Sequence, residues 1–127
     1  MCNTANEAIA QANRPVVHIP IRTGRGPNNR EHYMARHRRT KAEREATAWA
    51  IRMQRPEKPA LPCVILLTRE SPSIGRLDDD NVRGSLKAIR DEIAAWLGVD
   101  DRHSDVVRYE YAQAKAKEWG VRVEVVR

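Results

Sequence analysis

The segment Cys63–Thr68 (CVILLT) is a continuous apolar run held between a proline-punctuated connector, Arg55–Pro62 (RPEKPALP), and a polar stretch. Six residues of this kind are too few for a helix and suit a strand buried on both faces. The rest of the fold has to assemble around such a strand. Upstream, Val16–Ile21 (VVHIPI) reads as a short strand, and Pro20, lacking an N–H, makes it an edge strand or marks a strand end. Downstream, Val106–Tyr111 alternates loosely, and Val121–Val125 alternates cleanly between valines and charges.

Two helices separate these strands. Thr40 and Glu43 fit a capping box opening a helix over about Thr40–Gln54, with Ala42, Ala46, Trp49, Ala50 and Met53 on one face toward the core. A second helix is expected over about Asn81–Leu97. Its stripe, Val82, Leu86, Ile89, Ile93 and Trp96, steps by four and three, and Gly98 follows as a left-handed terminator. The order β-α-β-α-β-β predicts an α+β class: a single domain over 15–127 with a mixed sheet and two main helices. Residues 1–14 read as disordered or weakly helical.

Cys2 and Cys63 form no framework and read as free thiols in a reducing cytoplasm. No apolar stretch approaches a membrane span, and the polar, alanine-rich start lacks a signal region, so a cytoplasmic protein without membrane partners is expected. Neither cysteine has zinc-finger spacing with His18, His32, His37 or His103. The loop Arg22–Asn29 (RTGRGPNN) is glycine-rich, but no Gly-Lys-Ser/Thr follows, which excludes a P-loop.

Charge is unevenly placed. Between Arg22 and Arg44 lie eight Lys/Arg and two acids, so this segment carries the whole net charge of +6. That is either a solvated charge run or a polyanion-binding surface. Against this background stands Asp78-Asp79-Asp80-Asn81, with a second acidic pair, Asp100-Asp101, after the expected helix. Clustered carboxylates suit a hard divalent cation. In extended backbone Asp78 and Asp80 point to the same side and can share an ion, while Asp79 points away. The structural alternative is that one aspartate caps the helix. Lys87 either contacts a phosphate or pairs with Asp91 one turn on. Asp100-Asp101 lie roughly 25 Å along the helix from its start. They either form a solvated acidic loop or reach the first cluster through a fold-back or a second copy of the chain.

The residues Leu77-Asp78-Asp79-Asp80-Asn81, Leu86-Lys87-Ala88, Asp91 and Trp96-Leu97-Gly98-Val99-Asp100-Asp101 resemble the RusA family of Holliday junction resolvases, small endonucleases common in phages. Gly26-Pro27-Asn28-Asn29-Arg30 resembles that family's turn after the first strand, and the likeness runs from about Val16 to Val126, with three additional residues between Asn81 and Lys87. The resemblance implies a homodimer that uses Mg²⁺ or Mn²⁺ to cut opposing strands of branched DNA in recombination and repair. It implies Asp78, Asp80 and Asp101 as metal-binding catalytic acids and Lys87 as the helix lysine. Arg25, Asn29, Arg30, Arg36, Arg38 and Arg39 are the expected DNA contacts. The contrasting expectation is a non-catalytic phage nucleic-acid-binding regulator, which accounts for the basic segment and not for the aspartates. A weaker one is a structural protein whose helices make partner contacts.

Overall fold

The computed structural model describes residues 14–24, 33–72, 77, 79–99 and 105–126. The elements are β1 (Arg14–Ile19), α1 (Tyr33–Gln54), β2 (Cys63–Ser71), α2 (Asp79–Ser85), α3 (Lys87–Leu97), β3 (Val107–Lys115) and β4 (Gly120–Val125). The sheet order is β1-β4-β2-β3. β4 runs antiparallel to both β1 and β2, while β2 and β3 are parallel. This is the mixed-sheet α+β fold expected, with β1 at an edge and the apolar run at the centre.

The core lies between the helices and one sheet face. Val17, Ile19, Cys63, Ile65, Leu67, Val107, Val121 and Val123 project from the strands to meet Ala50, Val82, Leu86, Ile89 and Ile93. Register builds the rows: Val17, Val123, Leu67 and Tyr111 lie side by side across the four strands. Each fully buried aliphatic side chain here stabilises the fold by about 1.5–3 kcal/mol. The opposite face is polar, with His18 Nε2 and Glu70 Oε1 2.8 Å apart and Arg122 Nε 2.9 Å from Glu124 Oε1. β2 runs three residues beyond Thr68 because its ladder with β3 continues through Arg69, Glu70 and Ser71. Burial alternates along it: the helix face is closed, and Val64 and Leu66 on the other face are half-buried.

The first helix departs from expectation. It is already formed at Tyr33, so Thr40 lies in its interior and the Thr40/Glu43 capping box does not form. Arginine and alanine are good helix formers, and the basic run is tolerated because Arg36, Arg38 and Lys41 face water. The buried stripe is Glu43, Thr47 and Ala50, while Trp49 and Met53 are 60% and 61% exposed. The stripe is rotated by about one residue, or 100°, from the expected one. Alanines on several sides leave the sequence without a single apolar face, and polar contacts set the rotation instead. Arg39 Nε donates to Glu43 Oε1 at 3.2 Å, and Thr47 Oγ1 donates to the Glu43 carbonyl at 2.8 Å. At the helix end the Gln54 amide grips β1, receiving the His18 N–H at 2.9 Å and donating to the His18 carbonyl at 2.6 Å.

The second helix has its expected apolar stripe: Val82, Leu86, Ile89 and Ile93 are buried and Trp96 packs at the margin. It is nevertheless two helices. At Leu86 (φ −103°, ψ 4°) the ladder is interrupted, and the Leu86 N–H is shared between the Val82 and Arg83 carbonyls at 3.2 and 3.3 Å. Gly84 and Ser85 are poor helix interiors, and the Ser85 hydroxyl donates back to the Val82 carbonyl at 2.9 Å. Gly98 ends α3 at φ 74°, its N–H directed at the Ala94 and Ala95 carbonyls, as a left-handed cap requires. No helix among the described residues is long and apolar enough to cross a membrane. Cys63 is a buried free thiol whose pKa burial pushes up. Of the segment 1–14 expected to be disordered or weakly helical, residues 1–13, Cys2 among them, lie outside the described residues, while Arg14 already belongs to β1 through its pairing with β4.

Candidate active site

Because β1 and β2 are both antiparallel to β4, and β3 is parallel to β2, the carboxyl ends of β1, β2 and β3 share one side of the sheet. In open sheets that side is where loops gather ligands. In the aligned row there, Ile19 and Val121 remain apolar, while β2 and β3 contribute the polar Arg69 and Gln113.

Arg69 anchors the loop after β1. It is 5% exposed, and its Nε donates to the Thr23 hydroxyl, itself 4% exposed, at 3.2 Å. The Trp119 ring, from the β3–β4 connection, receives the Arg22 guanidinium at 4.4 Å and that of Arg69 at 5.2 Å. Gly24 is packed so closely that a Cβ there would come within 2.5 Å of the Arg39 guanidinium. The loop is therefore tied to β2 and to the first turns of α1, which bring Arg36 and Arg38, both exposed, to this side.

Gln113 anchors the acidic segment. Its amide donates to the Leu77 carbonyl at 2.7 Å and receives the Leu77 N–H at 2.9 Å. Leu77 immediately precedes Asp78, so β3 holds the backbone from which the aspartates start. α2 begins at Asp79, two residues earlier than expected. Asp80 is thus in a helical first turn and not in extended chain, and the same-side pairing of Asp78 with Asp80 by strand geometry does not apply. Acidic residues suit a first helical turn, which explains the earlier start. The Asp80 carboxylate is exposed and makes no ion pair with any described residue.

The other expected site residues divide into three groups. Asp78, Asp101, Arg25, Asn29 and Arg30 lie outside the described residues. Lys87 is exposed and its Nζ donates to Asp91 Oδ2 at 2.9 Å, the helix-surface pairing expected as the alternative to a phosphate contact. Arg39 is half-buried and engaged with Glu43, which is 3% exposed, so it holds α1 to the loop. Among the described residues no three His, Cys, Asp or Glu side chains are grouped to hold a metal ion. Asp105 stands at the far end of the sheet, because the Val106 carbonyl receives the N–H of Cys63, the first residue of β2. From Val107 to Gln113 the strand climbs about 20 Å.

Sequence reading passed over the cleft beside this site. Tyr109, Tyr111 and Gln113 share the helix-side face of β3 with Val107, and the period of two in VRYEYAQAK carries that signal. Arg83 lies over the Tyr111 ring at 5.5 Å and Arg90 over that of Tyr109 at 6.0 Å. Burial pushes the Tyr109 pKa up to about 12, opposed by the nearby Arg90 charge. No family model, no curated protein and no solved structure matches this chain.

Proposed function

We propose that this chain is a metal-dependent endonuclease acting on branched DNA, of the kind that resolves four-way junctions by paired phosphodiester hydrolysis, and that it works as a homodimer in the cytoplasm. One observation carries the reading. The acidic segment, held through Gln113 and Leu77, and the loop after β1, packed at Gly24 against Arg39 of the basic α1, both start from the same end of the sheet. A phosphodiester bound by the cations is thereby presented to the carboxylates.

The donor set fits a hard cation: Asp80 offers an exposed carboxylate without a counter-charge among the described residues, and Mg²⁺ or Mn²⁺ takes oxygen ligands while keeping several waters. Asp78, Asp80 and Asp101 are the residues assigned to hold it. The ion supplies a Lewis acid and an activated water for hydrolysis. Asp101 is assigned to a second copy of the chain, in keeping with a homodimer. A two-fold junction suits such a two-fold enzyme. Arg25, Asn29, Arg30, Arg36 and Arg38 contact the DNA backbone, with affinity falling as salt rises. Lys87 joins them only by releasing Asp91.

The test is cleavage of a labelled synthetic four-way junction beside a matched linear duplex, in Mg²⁺ and in EDTA. Symmetric paired nicks that need metal and spare the duplex are expected. Tight junction binding with no cutting in Mg²⁺ or Mn²⁺ replaces this reading with that of a non-catalytic nucleic-acid-binding protein.

A further inference from the structure

Between α2 and the outer edge of β3 lies a cavity of about 400 Å³, with Val82 and Arg83 on one wall and Tyr109, Glu110, Tyr111, Ala112 and Gln113 on the other; the Glu110 carboxylate is offset by Arg108, whose Nη2 is 3.5 Å from its Oε1. Two arginines and two tyrosines interleave beside it. Arg83 sits over Tyr111, and Arg90 reaches the Tyr111 hydroxyl with Nη1 at 3.4 Å. The charges of the arginines differ in availability. Arg90 Nη2 is 3.6 Å from Asp91 Oδ1, whereas Arg83 is exposed and has no ion-pair partner among the described residues. The Tyr109 hydroxyl oxygen is buried without a hydrogen-bond partner among the described residues. A buried hydroxyl in that state is costly until something accepts its proton.

From these features we infer that the cleft holds one unpaired nucleotide of a bound DNA strand, with its phosphate on Arg83 and its base against the Tyr111 ring. The volume falls in the range of small-ligand sites, which suits a single nucleotide and excludes a stacked duplex. Arginine and tyrosine together stack a base of any sequence, because every base has a π-face. Placement fits as well. Arg83 follows Asp80 by three residues on α2, one turn and about 4.5 Å along the axis. Gln113 both lines the cleft and holds Leu77, so the cleft and the acidic segment share one support. Opening a junction or fork exposes such a base next to the phosphodiester to be cut. The inference rests on the reading that the chain engages DNA, but not on its cutting it.

The test uses the full chain in EDTA, so that binding is measured without cleavage. Fluorescence anisotropy follows a labelled 12-nucleotide single strand and the matching duplex, with wild type, Arg83→Gln, Tyr111→Leu and Tyr111→Phe. Arg83→Gln and Tyr111→Leu are expected to weaken single-strand binding about tenfold each, within the span for lost base stacking or phosphate pairing, and duplex binding less than about twofold. Tyr111→Phe keeps the ring and is expected to bind as wild type. Photocrosslinking of a 5-iodouracil strand is expected to map to Tyr109 or Tyr111. Unchanged single-strand affinity in Arg83→Gln, a surface substitution that leaves the fold intact, together with crosslinks confined to α1, overturns the inference. A chain that binds single strands through the cleft yet never cuts a junction loses the nuclease reading and keeps this one. A chain that cuts junctions while Arg83→Gln and Tyr111→Leu bind single strands normally does the reverse.

Discussion

Both edges of this sheet carry a glutamine that grips a backbone through two hydrogen bonds, and the two grips do different work. Gln54, from the end of α1, pairs with the N–H and carbonyl of His18 on edge strand β1. It stands in for a missing neighbouring strand and satisfies groups that otherwise invite edge-to-edge association. Gln113, on edge strand β3, turns toward the helices and grips Leu77, just ahead of the aspartates. Along its outer side β3 presents the tyrosines to Arg83 of α2, a cleft rather than a seal. One residue type in one bonding pattern thus closes the β1 edge and builds a site at the β3 edge. What distinguishes the two is the partner: a strand already fixed by its ladder, or a loop leading into charged residues.

The sharpest way to break this comparison is Gln113→Ala. Loss of both bonds frees the backbone before Asp78. It is expected to lower metal-activated junction cleavage by about ten- to a hundredfold, since small misplacements at a reacting centre have effects of that order. The half-saturating Mg²⁺ concentration should rise while junction affinity in EDTA holds. Gln113→Glu, which retains the acceptor for the Leu77 N–H, should recover part of the loss. Gln54→Ala is expected to do the opposite: about 1–3 kcal/mol less stability in urea titration, from two lost bonds at a strand edge, with unchanged cleavage per folded molecule. Equal effects of the two substitutions on cleavage erase the distinction.

A pH series adds a smaller effect confined to the β3 side. Tyr109 has its pKa raised from 10.0 to about 12 by burial, so the folded state prefers the protonated phenol. Its stability contribution is complete below pH 10 and is lost as pH rises from 10 toward 12. Urea midpoints at pH 9 and pH 11.5 should therefore fall further in wild type than in Tyr109→Phe, while Gln54→Ala should follow wild type. The smallest effect is expected at Lys87. Its pair with Asp91 is exposed on the lysine side, so Lys87→Met should change stability by only tenths of a kcal/mol, read in the same titration.

What could be read from the sequence follows from how strongly each pattern is determined. The central strand was legible because Cys63–Leu67 is an unbroken apolar run of strand length, and the stripe of α2 and α3 because Val82, Leu86, Ile89 and Ile93 recur at helical spacing. Gly98 was legible because a left-handed φ favours glycine. The face of α1 was not, since its rotation is set by Glu43, Thr47 and Gln54, polar residues whose burial depends on partners distant in sequence. The break at Leu86 was hidden because the apolar stripe continues across it. In the candidate site, Asp80 was named from charge clustering, yet Gln113 carries no charge and sits 36 positions from the residue it holds. Long-range amide clamps of this sort leave no local signature, whereas clustered like charges stand out against a basic chain.

The central claim is that the acidic segment at the carboxyl ends of the parallel strands cuts DNA. Its most direct test compares wild type with Asp80→Asn on one four-way junction, measuring binding in EDTA and cleavage after Mg²⁺ addition. The substitution removes a carboxylate charge without adding bulk. Wild-type affinity with cleavage lost is the predicted result. Cleavage by Asp80→Asn at the wild-type rate contradicts it and removes this segment from the chemistry.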